Sequence, residues 1–227
     1  MLALSLELTG HHLAHNPASP PASVQAPVAI LVLLAFATDG IWRLVRHLGV
    51  IAHEGAHAVA GWSTGHKVSG VKLNSNATGE TVTPGTAGPS AAITGFAGYL
   101  GPSLFGLGAA VLLAHHQVEA VLIVAGIFLF IILLLVRNFF GVFPVLATGS
   151  LIVLVLWSGS LELQTIIAYA LSWFLLLSGV RFVIMHGSGA SDADGLRKIT
   201  HIPRIAWATL WLVGSVTALW IGGHLLI

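Results

Sequence analysis

"RLVRHLGVIAHEGAHAVAGWSTG", residues 43–65, is the stretch whose reading decides the fold. It resembles a membrane helix except at His53, Glu54 and His57, three ionisable side chains packed into about one turn. The rest of the chain says what surrounds them. Of 227 residues, 56% are hydrophobic and only 7% are charged, against about 25% charged in an ordinary soluble domain. Mean hydropathy is +0.93. That is the composition of an integral membrane protein, so the three side chains lie where hydrocarbon is expected. An ionisable residue inside a span is costly and by default marks function.

Working outward, residues 1–25 have no basic start and no sustained apolar core, so they do not read as a cleaved signal peptide. Rich in Pro and Ser, they read as a flexible polar tail in which His11, His12 and His15 are solvated. Residues 26–227 then form one membrane-embedded domain. Its apolar runs predict about seven spans of ~20 residues each. They cover Pro27–Ile41, Leu44–Trp62, Ser90–Ala114, Val118–Val136, Phe140–Trp157, Leu161–Ile184 and Ile205–Leu226. Between the second and third, "VSGVKL" and "GETVTP" flank an Asn/Gly break and predict a β-hairpin. The fold class is therefore an all-α membrane protein, a polytopic helical bundle with a small hairpin after the histidine-bearing helix. Gly95, Gly98 and Gly101 allow another helix to approach closely, and Pro102 invites a kink. Glycine-rich faces pack equally well within one bundle or between copies, so oligomeric state stays open.

The net charge of +1 gives no reason to expect a nucleic-acid partner, and with no cysteine any metal must rest on His, Asp and Glu. If the helix carrying His53 exits at Gly65, then Lys67, Lys72, Arg137, Arg181, Arg197, Lys198 and Arg204 fall on one side. Arg43 and Arg46 fall on the other. The positive-inside rule makes the first side cytoplasmic and, with seven spans, puts the N-terminus there too. Trp42, Trp62, Trp157 and Trp207 fall where interfacial aromatics anchor spans.

On a helix, residues four apart share a face. His53 and His57 can therefore offer imidazole nitrogens to one ion, while Glu54, adjacent in angle, reaches a water on it. That is the arrangement of a zinc hydrolase. Zinc with three protein ligands keeps a position open for a water that ionises near neutral pH, and the glutamate carries the proton. A bare HExxH string arises by chance in roughly one or two chains per hundred of this composition. Membrane placement makes the accident rarer still, because a lone packing histidine would leave Glu54 without a purpose. Two other classes share these residues: an inactive scaffold that keeps the fold, and a transporter passing protons or metal ions along midplane His and carboxylate groups. Against transport, the sequence has no paired inverted halves.

"AHEGAHAVAGWSTGHKV", the hairpin segment, "GFAGYLGPSLFG", "VRNFFG" and "SDADGLRKITHIPRIAW" together resemble the site-2 protease family of intramembrane zinc metalloproteases. The likeness is to its compact bacterial branch without a PDZ domain, and it covers the chain from about residue 28. It implies one catalytic Zn2+ and hydrolysis of peptide bonds in membrane-protein or membrane-tethered substrates, in the manner of regulated intramembrane proteolysis. It also implies a multi-pass protein of the bacterial plasma membrane, with the lipid bilayer as constant partner.

That resemblance exposes a departure. The family's usual third ligand is an Asp in an "Asn…Pro…AspGly" stretch; here Asn138, Pro144 and Gly149 are present but Thr148 stands in the Asp position. Threonine is a poor zinc ligand. The carboxylates left are Asp192 and Asp194 in "SDADG", with Asp39 behind them. Asp192 matches the recurrent SerAspAla of the compact branch and is preferred over Asp194. Either could instead only cap the short helix that follows. The "SDADG" loop would have to dip into the membrane to reach the histidines. Asn138 is a candidate for orienting substrate or steadying an oxyanion, with the bonding of a helix end as the plain alternative. His66, His186 and His201 fall in loops on the same side as incidental candidates.

Overall fold

The computed structural model describes residues 22–85, 87–186 and 191–227, so the expectation for the tail falls almost wholly outside it. The described residues form eight helices and one two-stranded sheet. In order they are α1 (Ala22–Ala37), α2 (Asp39–Ser63), β1 (Gly70–Leu73), β2 (Gly79–Val82), α3 (Gly88–Ala114), α4 (Val118–Leu135), α5 (Phe139–Ser158), α6 (Leu161–His186), α7 (Ser191–Thr200) and α8 (Arg204–Leu226).

The seven expected spans reduce to five or six. Helices α3, α4, α5, α6 and α8 are long and apolar enough to cross a membrane, and α1 with α2, bent by 103°, adds at most one more. The reason is the break between α1 and α2. Thr38 is extended (φ −103°, ψ 111°) between the two helices, and α1, at 16 residues, is about 24 Å long, short of a ~30 Å hydrocarbon core. Helix α2 carries Asp39, Arg43, Arg46 and Glu54 and cannot qualify by composition alone. Arg181 of α6 secures the break. Its guanidinium donates to the Phe36 carbonyl and lies 4.2 Å from the centre of the Trp42 ring. A cation in an apolar helix is thus satisfied by a freed carbonyl and a π face.

Helices α3 and α6 form the centre. Helix α3 packs most extensively on α6, α2 and α8, and Ser172 of α6 donates to the Gly106 carbonyl at 2.9 Å. The predicted close approach of α3 is present on its α2 side. A Cβ added at Gly101 would collide with Ala56, and one at Gly98 with both His53 and His57. Helix α3 runs on through Pro102. Helices α4 and α5 pack on each other at the edge. Phe130, Leu134, Leu151, Leu154 and Trp157 on them are exposed, an apolar belt that suits lipid rather than water.

Helix α2 ends as its sequence directs. Gly65 takes φ +79°, the left-handed conformation glycine adopts freely, while the Gly65 and His66 N–H groups return to the Trp62 and Gly61 carbonyls. The chain then enters the hairpin. Val71 and Leu73 of β1 are buried, and β1 lies between β2 and the segment after α4. On that second side the Arg137 N–H donates to the Val71 carbonyl at 2.9 Å. Asn138 bonds Leu73 twice, its Oδ1 accepting from the Leu73 N–H at 3.0 Å and its Nδ2 donating to the carbonyl at 2.7 Å. A two-stranded hairpin alone is marginal; this one is clamped onto the bundle beside α2.

Candidate metal centre

Helix α2 turns His53 and His57 toward the start of α3. The His57 Nδ1 donates to the Thr94 carbonyl at 2.7 Å, which fixes the ring and turns Nε2 toward His53 and Asp192. Gly98, having no side chain, admits both rings. Helix α7 supplies the third group. Its buried Ala193 and Leu196 pack inward, Leu196 against Gly95 of α3, and this seats Asp192 over the histidines. The loop does reach the site, as a helix.

Three ligand atoms converge. Asp192 Oδ2 is 3.1 Å from His53 Nε2 and 3.3 Å from His57 Nε2, and the two Nε2 atoms are 3.2 Å apart. Donors held about 2.0–2.1 Å from a tetrahedral zinc would be separated by roughly 3.3–3.4 Å. The described residues contain one group of this kind, His53, His57 and Asp192. Burial by itself would raise the Asp192 pKa, but hydrogen bonds and charge from His53 and His57 outweigh it, holding the carboxyl well below the usual carboxylate range. Asp192 is therefore an anion at neutral pH, as a ligand must be.

The other candidates lie elsewhere. Asp194, two residues on, points the other way and pairs with Arg197 at 3.8 Å and Arg204 at 3.4 Å. Asp39 sits in the first turn of α2, about four turns before His53, where it favours the helix dipole. Thr148 donates to the Pro144 carbonyl at 2.8 Å. With Leu48, Ile51 and Ile152 it lines an apolar cavity of about 300 Å³, against the face of α2 turned away from the histidines. Asn138 spends its amide on Leu73, so it holds the hairpin instead of facing the metal group. His66 bonds Thr64, and His201 lies beyond α7; His186 lines the cleft without joining the group.

Glu54 is buried, 3% exposed. Its Oε2 accepts from the Thr81 hydroxyl of β2 at 2.7 Å, and that hydroxyl is also 3.0 Å from the Glu54 carbonyl oxygen. Gly79 of β2 passes so close that a Cβ there would strike the Glu54 carboxylate. These groups share a cleft of about 690 Å³ with Thr94, Tyr99 and Phe182. Thr81, Thr94 and Tyr99 do not stand out in the sequence. Thr81 had one signal, its place in a hairpin next to the HExxH helix.

Comparison with known proteins agrees with the geometry. No curated protein and no solved structure matches the chain. The family model described as Peptidase M50B-like matches residues 26–222, from α1 almost to the end of α8. The chain is a membrane protein that belongs to the Peptidase M50B-like family, the site-2 protease family of zinc metallopeptidases.

Proposed function

We propose that the chain is a zinc-dependent intramembrane peptidase in which His53, His57 and Asp192 hold the metal and Glu54 is the general base. The observation that carries this reading is the separation of the three donor atoms, 3.1–3.3 Å, one turn from a buried glutamate. When bound, zinc supplies a polarised carbonyl and a water acidic enough to attack near neutral pH. Thr81 holds one oxygen of Glu54, leaving the other to take the proton of the attacking water and return it to the leaving amine.

A peptide bond inside a helix is hidden, so a membrane substrate must unwind first, and its freed backbone groups then need partners. The hairpin offers them. The Asn74 N–H donates to the Thr78 carbonyl at 2.8 Å, and pairing alternates along an antiparallel ladder. Lys72–Glu80 and Gly70–Val82 are therefore the bonded pairs, while Val71, Leu73, Gly79 and Thr81 point their backbone groups outward. On the β1 side Arg137 and Asn138 take them up. On the β2 side Gly79 and Thr81 present a bare edge on the cleft, next to Glu54. An extended substrate that adds to this edge is laid across the catalytic groups. Asn138, by pinning β1, keeps that edge in place. The basic residues after α2, α4 and α7 support, by the positive-inside rule, a cleft on the cytoplasmic side of the bacterial plasma membrane.

The inactive-scaffold alternative gains credit from Thr148 in place of the usual Asp; a carboxylate offered by Asp192 weighs against it. The test is zinc content of detergent-purified protein together with cleavage of a membrane-tethered reporter. About one zinc per chain is expected for wild type and for Glu54→Gln, with hydrolysis reduced 10²–10⁴-fold in the variant. Zinc-free, well-folded wild type after metal supply would overturn the proposal.

A further inference from the structure

Tyr99 is a polar side chain of the cleft for which metal binding and the general base give no use. It is 7% exposed, and its ring is fixed from two sides. Trp211 of α8 stacks on it at 4.5 Å between centroids, and the His53 ring meets it edge-on at 4.8 Å and 90°. Trp211 is itself anchored, its indole N–H donating to the Phe96 carbonyl at 2.9 Å. The rest of this aromatic wedge is thus hydrogen-bonded or packed. The Tyr99 hydroxyl, by contrast, has no hydrogen-bond partner among the described residues, although buried tyrosine hydroxyls normally find one. It is not sealed in the protein either, since Tyr99 lines the cleft that holds His53, Glu54, His57 and Asp192.

We propose that Tyr99 is a further catalytic residue whose hydroxyl donates a hydrogen bond to the scissile carbonyl oxygen as negative charge develops there. This rests on the peptidase reading above. Water adds to the carbonyl carbon, the C=O π pair moves onto oxygen, and Glu54 takes the proton of the water; the phenol keeps its own proton and only shares it. Ring stacking and the His53 contact hold it ready, so little reorganisation is needed when the charge forms. Its lack of a partner in the resting protein is what leaves the hydrogen bond to be made in the transition state.

The test compares a tetrahedral anionic probe with a neutral one on zinc-loaded protein in detergent. The probes are a phosphinic pseudopeptide and the ketomethylene isostere of the same sequence, and zinc content is measured alongside. Tyr99→Phe is expected to keep one zinc per chain and to bind the phosphinic probe about 10- to 100-fold more weakly, the range of a hydrogen bond to a charged group. The ketomethylene probe should lose less than about threefold. Equal losses for both probes, or no loss, would overturn the assignment. Loss of zinc in Tyr99→Phe would overturn it too, by making the tyrosine a support for His53. If zinc-loaded wild type binds neither probe, the peptidase reading itself falls, and this is seen before any variant is made.

Discussion

Helices α5 and α7 approach α2 from opposite sides, and only one of them meets the histidines. Helix α5 opens with Asn138 and Pro144 and reaches Thr148, where the family pattern has its Asp. It packs on the Leu48 and Ile51 face of α2, lining an apolar cavity. Helix α7, a ten-residue helix outside the spans, docks on α3 at Gly95 and places Asp192 within 3.3 Å of both histidines. A third donor is set by which face of the catalytic helix an element covers, more than by its place in the chain. Moving the ligand to α7 ties the metal site to the docking of a small surface element.

The largest effect should come from breaking that link at its centre. Asp192→Ala removes a direct ligand and leaves the two imidazoles alone, so zinc affinity should fall more than about 100-fold, beyond what loss of a supporting contact costs. Asp194→Ala, two residues away, loses only exposed pairs with Arg197 and Arg204 and should keep its zinc. Isothermal titration of zinc into the metal-free variants measures both. Equal retention in Asp192→Ala would detach α7 from the site.

The converse change is Thr148→Asp. If α5 really faces away from the metal, this puts a carboxylate among Leu48, Ile51 and Ile152 with nothing to pair it. It should destabilise the protein by about 2.5–3.5 kcal/mol, the cost of Asp at the centre of a membrane helix, and lower the melting temperature in detergent. It should also fail to restore zinc to Asp192→Ala. Restored zinc would mean that α5 can reach the histidines and that the comparison is misplaced.

How much of this was legible in the sequence follows the range of the interactions. That His53 and His57 share a face of α2 with Glu54 beside them was readable because helix periodicity is local, and so were the approach of α3 through Gly98 and Gly101 and the presence of a small two-stranded sheet. The break at Thr38 was not, because it depends on Arg181, about 140 positions later, finding the Phe36 carbonyl and the Trp42 ring. In sequence Arg181 was one more charge to count. Asp192 and Asp194 are both acidic residues in the first turn of α7; which one meets the histidines depends on the buried pair Ala193 and Leu196. Thr81 and Tyr99 gave still less warning. A threonine in a strand and a tyrosine in a glycine-rich span are ordinary until the hairpin folds back on α2 and α8 stacks against α3.

The smallest expected effect tests what holds α7 down. Its ion pairs are exposed, and such pairs contribute about 0–1 kcal/mol; Leu196, 1% exposed, is the larger anchor. Truncating a buried leucine costs about 2–5 kcal/mol, of which the part that releases α7 must reappear as weaker metal binding, since zinc binds only where Asp192 is docked. Leu196→Ala should therefore weaken zinc by up to about tenfold. The matched control is Ile152→Ala on α5, 3% exposed, which removes similar packing from the opposite face of α2. It should lower the melting temperature and leave zinc affinity unchanged. If the two variants lose stability alike and neither loses zinc affinity, α7 is rigidly part of the bundle and the coupling of docking to metal binding is wrong. If Leu196→Ala alone loses zinc, an element that moves or is captured outside the membrane can control the metal site inside it.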